Sequence, residues 1–211
     1  MGTSLCTPND VYSTDLEGNS LIHFLAPEGY TECLEVALRG LTRIGIPNYN
    51  GENPLHLAVQ KDQITTAELL IHTGIDINKQ DNYGRTPLHI AIHSGHTKLA
   101  RVLIESGASL SIQDQDGHSV LHIAAIQENV QMAQLLLTSG AEAKLQDSGG
   151  LTPLHWSALE RTGTIAKLII DSGSLDIINW TDVNGLTPLH HATYWVPGPQ
   201  SIMQFKAAMW Q

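Results

Sequence analysis

Apolar positions along this chain fall into short clusters that return at a fixed interval. In one type of cluster, Ala67, Ala100, Ala133 and Ala166 hold equivalent places. Two residues on come Leu69, Val102, Leu135 and Leu168, then Leu70, Leu103, Leu136 and Ile169, then Ile71, Ile104, Leu137 and Ile170. An i, i+2, i+3, i+4 stripe of this kind is the buried face of a helix, with alanine where a neighbouring helix must come close. Gly74, Gly107, Gly140 and Gly173 follow the stripes and predict a left-handed helix stop. The second type of cluster centres on a histidine. Aligned on His23, His56, His89, His122, His155 and His190, the chain repeats with spacings of 33, 33, 33, 33 and 35 residues. Three positions earlier stand Ser20, Asn53, Thr86, Ser119, Thr152 and Thr187, which predict six helix N-caps accepting from free backbone amides. Pro54, Pro87, Pro153 and Pro188 occupy the first helical position, where a missing N–H costs nothing. Gly18, Gly51, Gly84, Gly117, Gly150 and Gly185 keep the same register upstream, as turn glycines do. Each unit therefore reads as a turn, a short helix, a loop and a second helix, and it buries its apolar face only by stacking on its neighbours.

The repeated phrase runs "DNYGRTPLHIA" from Asp81, "DQDGHSVLHIA" from Asp114, "DSGGLTPLHWS" from Asp147 and "DVNGLTPLHHA" from Asp182. D-x-x-G-x-T-P-L-H-x-A at this period resembles the ankyrin repeat, over residues 15–195. The resemblance implies an all-α solenoid of helix-turn-helix units with β-hairpin fingers, its repeats starting near residues 15, 48, 81, 114, 147 and 182 and its terminal units divergent. It also implies a concave groove, lined by fingers and first helices, that holds a protein partner, and an internal hydrogen-bond pair between the Thr and His of T-P-L-H. Residues 1–14 are expected to be an irregular leading segment, and residues 196–211 a divergent closing helix or a truncated last repeat, because Pro197 and Pro199 interrupt the register. Cys33 aligns with Thr66, Leu99, Met132 and Ile165 and is expected in the core. Trp180 falls in a stretch two residues longer than its counterparts, where an extended finger is expected.

Composition narrows the function classes. With 42% apolar and 15% charged residues in 211, the chain has the make-up of a folded globular protein. It holds no run of about 18 apolar residues, and "MGTSLCTPND" lacks the basic and apolar segments of a secretory signal, so a cytoplasmic or nuclear location and no membrane contact are expected. Cys6 and Cys33 cannot make a disulfide framework. A net charge of −10 repels nucleic-acid phosphates and favours a partner protein with a basic surface. The chain itself is expected to be a monomer.

No residue set points to catalysis, a cofactor or a metal. His89 and His93 have the i, i+4 spacing of metal ligands but lack the Glu of H-E-x-x-H. Gly117, His118 and Ser119 begin a nucleophile-elbow pattern that Leu121 breaks. "LIHTGIDIN" resembles the context in which ankyrin asparagines are hydroxylated, which makes Asn78 a candidate for that modification; a turn-supporting asparagine is the alternative. Candidate partner-binding residues are those that vary between units where scaffold physics leaves the choice open. On the fingers these are Tyr49, Asn50, Glu52, Asn82, Tyr83, Arg85, Gln115, Asp116, His118 and Trp180; at the ends of the first helices they are His93, Gln127, Leu159, Glu160 and Tyr194. "DLEGNSLIHFL", "NPLHLAVQKDQ" and "GHSVLHIAA" resemble successive repeats of the IκB and NF-κB-precursor group, which implies a Rel-homology transcription factor as partner. A substrate receptor of a ubiquitin ligase and a cytoskeletal adaptor are the alternatives.

Overall fold

The computed structural model describes residues 13–39, 44–159 and 163–195, the side chains of Tyr194 and Trp195 excepted. Expectations placed on Cys6, on Glu160, on the closing segment 196–211 and on the side chain of Tyr194 thus lie outside the described residues. The described residues form helices, in two compact units that meet between Ala108 and Ser109. The first unit holds α1 (Leu21–Glu28), α2 (Thr31–Leu38), α3 (Pro54–Gln60), α4 (Ile64–His72), α5 (Pro87–His93) and α6 (Thr97–Glu105). The second holds α7 (Val120–Ile126), α8 (Val130–Thr138), α9 (Pro153–Ser157), α10 (Thr164–Asp171), a 3₁₀ helix (Leu175–Asn179) and α11 (Pro188–Trp195).

Helices of five to nine residues are too short to persist alone in water, so packing must hold them. In the first unit α1 packs on α3 and α3 on α5, while α2 packs on α4 and α4 on α6. The second unit repeats the scheme, with α7 against α9, α9 against α11 and α8 against α10. The stripes supply the contacts: Leu55, Ala58, Ala67, Leu70, Leu88, Ile92, Leu99 and Leu103 are wholly buried in one unit, and Leu121, Ala124, Met132, Leu136, Leu154 and Ile169 in the other. Alanine at the closest approach leaves room for the facing helix. The second helices end where the pattern places their stops; Gly74 and Gly140 take φ of 80° and 92°, a left-handed turn that an L side chain resists.

Two expectations need revision. Cys33 is exposed, although Thr66, Leu99, Met132 and Ile165 in the same register are all buried. Thr66, Leu99 and Ile165 lie in second helices that pack on the second helix before them, α2, α4 and α8 in turn; no described pair precedes α2, and Leu34 alone of its residues is buried. The inserted stretch before the last finger is not extended either. It winds into the 3₁₀ helix, which drives Ile177 into the core and leaves Trp180 at its end, 36% exposed. Among the described residues no helix is long and apolar enough to cross a membrane.

Candidate protein-binding surface

The fingers are built from one carboxylate or amide each. In the first unit the Oδ1 of Asp15 accepts the amides of Glu17 and Asn19 (both 2.8 Å), that of Asn48 the amides of Asn50 and Glu52 (3.0 and 2.9 Å), and that of Asp81 the amides of Tyr83 and Arg85 (2.9 and 2.8 Å). In the second unit Asp114 holds Asp116 and His118 (3.0 and 2.8 Å), Asp147 holds Gly149 and Leu151 (both 2.9 Å), and Asp182 holds Asn184 and Leu186 (2.8 and 2.9 Å). A backbone bond closes each turn, such as Asp81 N–H to the Arg85 carbonyl at 2.9 Å. Fingers then bond edge to edge: the amide of Tyr49 donates to Glu17, and that of Asn82 to Asn50. In the second unit the amide of Ser148 donates to Asp116 and that of Val183 to Gly149.

The histidines fasten fingers to helices. In all six repeats the histidine Nδ1 accepts the backbone N–H of the residue three before it, at 3.1 Å. The caps therefore work in both directions, since the ring satisfies the cap residue's own amide. Nε2 faces a carbonyl of the next finger: Glu52 for His23, Arg85 for His56, Leu151 for His122 and Leu186 for His155, at 3.0–3.2 Å. A carbonyl only accepts, so Nε2 carries the proton and Nδ1 the lone pair, which is the neutral ring. Burial supports the same state. It lowers the pKa of His23, His56 and His155 and brings that of His122 down to about 4, with the finger carbonyls opposing. These rings are committed to structure.

The candidate binding residues divide by exposure. On the first unit Tyr49 and Tyr83 stand 72% and 64% exposed beside the exposed Asn50 and Asn82. Arg85 is half-buried; its guanidinium grips Asp81 at 2.7 Å and lies 4.9 Å above the Tyr83 ring, so it stiffens the finger. Glu52 accepts from Asn48 Nδ2 at 3.0 Å, and His93 is exposed at the end of α5. Asn78 is half-buried, with its amide on Asp76 Oδ1 at 3.0 Å. On the second unit Gln115, Asp116 and Gln127 are exposed and Leu159 is half-buried. His118 is half-buried between Asp114 at 3.6 Å and Asp147 at 3.7 Å, edge-on to Trp156, whose Nε1 donates to Asp147 at 2.9 Å. One exposed tip escaped the sequence-based selection of sites: Leu16 (97%), one repeat before Tyr49; Val183, a finger position that varies between repeats, is 74% exposed. Register alone could have found Leu16.

Asp114, Asp116 and His118 each bring a ligand-type atom within 4.8 Å of the others. Asp114 already accepts the amides of the other two, so this cluster is finger architecture. His89, half of the candidate metal pair, spends Nδ1 on the Thr86 amide.

The family model for ankyrin repeats matches the chain in three copies, over residues 3–81, 73–147 and 121–205. The NF-kappa-B p105 subunit of Rattus norvegicus is 33% identical over 75 residues, 34% of this chain and 8% of that protein. The poly [ADP-ribose] polymerase tankyrase of Caenorhabditis elegans is 31% identical over 78 residues, 37% of this chain and 3% of that protein. The chain therefore spans less than a tenth of the length of either relative.

Proposed function

The chain belongs to the ankyrin-repeat family, a class of protein-interaction modules, and from that premise we propose that it is a non-catalytic adaptor whose fingertips and first-helix ends hold a partner protein. One observation carries the reading. The first aspartates of the fingers, the buried histidines and Arg85 are consumed in holding the fingers, while the fingertips present Tyr49, Tyr83 and Asp116 to solvent and Trp180 stands exposed at the end of the 3₁₀ helix. Aromatic side chains on a fixed backbone are efficient anchors, because they bury much area for little lost entropy. The net charge of −10 favours a basic partner. The likeness to the p105 subunit supports a Rel-homology transcription factor as that partner, held through its basic surface.

Titration of a purified Rel-homology domain, followed by fluorescence anisotropy, tests both levels. Saturable, salt-weakened binding is expected, and Tyr83→Ala with Trp180→Ala should raise Kd roughly tenfold or more. No binding removes the Rel partner. Binding unchanged in the double variant removes the fingertip surface. A ligase subunit or cytoskeletal protein held by the same residues would keep the adaptor and replace its partner.

A further inference from the structure

We propose that Asn50 is a latent site of spontaneous deamidation, silent while the third finger is docked on the second and reactive once that contact opens. Glycine follows it, the neighbour that hinders an attacking amide nitrogen least because it has no Cβ. In this reaction the Gly51 nitrogen gives up its proton to a water or hydroxide base and bonds to Asn50 Cγ. The Cγ–Nδ2 bond breaks, Nδ2 takes a proton from water and leaves as ammonia, and a succinimide ring remains. Water then adds to either ring carbonyl and opens the ring, giving aspartate or, by attack at the main-chain carbonyl, iso-aspartate. No oxidant or reductant is involved.

Asn50 is exposed, so water and base can reach it. What is restrained is the peptide unit that joins it to Gly51. That unit is one rigid plane, and it is held at both ends. Its N–H, on Gly51, donates to the Asn48 carbonyl at 2.9 Å, and its carbonyl, on Asn50, accepts the Asn82 amide at 2.8 Å. Turning the nitrogen toward Asn50 Cγ rotates the plane and breaks both bonds. The first bond is local to the turn, but the second comes from the next finger. Asn82 reinforces it by donating Nδ2 to the Tyr49 carbonyl at 2.7 Å. Its Oδ1 and amide nitrogen also lie 2.6 and 2.8 Å from where a Gly51 Cβ would stand, so the third finger fills the space over the glycine. On the other side the Tyr49 amide donates to the Glu17 carbonyl at 2.9 Å. A bond inside one turn opens easily, whereas a bond between two docked fingers opens only when the stack does.

The product cannot close again. Iso-aspartate lengthens the main chain by one carbon between residues 50 and 51, so Asn48 Oδ1 no longer holds the amides of residues 50 and 52 together. The carbonyl that received the Asn82 amide becomes a free carboxylate. A transient opening of the stack is thereby recorded as a permanent one, independently of what the fingertips bind.

Incubation of the whole 211-residue chain at body temperature and mildly alkaline pH, with peptide mapping by mass spectrometry, reads conversion at residue 50 directly. Folded protein should convert there severalfold more slowly than the same chain in denaturant. Asn82→Pro removes both donors of the third finger, at a turn position that proline suits because the Gly84 amide closes the turn on the Asp81 carbonyl; it should raise the folded rate severalfold. Asn82→Ala keeps the backbone amide and should raise it less, while Tyr83→Ala on the same finger should leave it unchanged. Circular dichroism establishes that each variant is folded, and if Asn82→Pro is not, Asn82→Ala against Tyr83→Ala decides. Converted protein should lose hydrogen-exchange protection at the Asn82 amide. Equal rates in folded and denatured wild type, or folded Asn82 variants that convert no faster than wild type, would each overturn the proposal.

Discussion

At the scale of single residues, Thr66 shows what the repeat tolerates. Its hydroxyl is fully buried with no hydrogen-bond partner among the described residues, in a register filled elsewhere by Leu99, Met132 and Ile165. Desolvating a hydroxyl without replacing its bonds costs about 1–3 kcal/mol, and valine has nearly the same shape. Thr66→Val should therefore raise stability by about 1 kcal/mol, read as a higher urea midpoint at constant m-value. A lower midpoint would mean the hydroxyl has a partner after all. Cys33 carries the opposite lesson. Its position in the alignment promised burial, but burial is conferred by the element packed on it, and no described helix pair lies before α2.

At the scale of the element, the finger is a cage around one carboxylate. Asp147 accepts two backbone amides and the Trp156 indole while only 8% exposed. Asp147→Ala leaves those donors unsatisfied and should cost about 2–4 kcal/mol, whereas Asp116→Ala at the exposed tip should stay within about 0.5 kcal/mol. Asp147→Asn should recover much of the loss, because Asn48 does the same work in its finger with an amide oxygen. Equal midpoints for the two alanine variants in chemical denaturation would contradict this division. The turn, cap and helix of each repeat were legible from Gly, the Ser, Thr or Asn cap and the apolar positions, since each is a local preference. The role of the first aspartate was not: its two bonds are local, but its neighbours in space, Trp156 and His118 for Asp147, come from elsewhere in the chain.

At the scale of the whole molecule, the buried histidines give folding a pH dependence. His23, His56, His122 and His155 are harder to protonate folded than unfolded, because burial disfavours the charged ring. The unfolded chain therefore binds more protons below its ordinary histidine pKa of 6.5, and stability falls as pH falls. The contribution is complete above pH 6.5 and drains away down to about 4, the folded value for His122. At roughly 1.4 kcal/mol for each unit of depression, His122 alone accounts for something on the order of 3 kcal/mol. Thermal melts from pH 7.5 to 4.5 should show a falling Tm, less steep in His122→Gln. A flat profile would mean these rings titrate normally.

The amino-acid order by itself determined the period, the helix pairs and their limits, because caps, stops and stripes act within a few residues of chain. Tertiary structure alone decided which groups remain available. Stacking sets one histidine nitrogen against a carbonyl of the next finger, and it covers Thr66 while leaving Cys33 exposed. Such outcomes depend on atoms about 30 residues away in sequence, where hydrogen bonds and packing are set by the stack rather than by local preference.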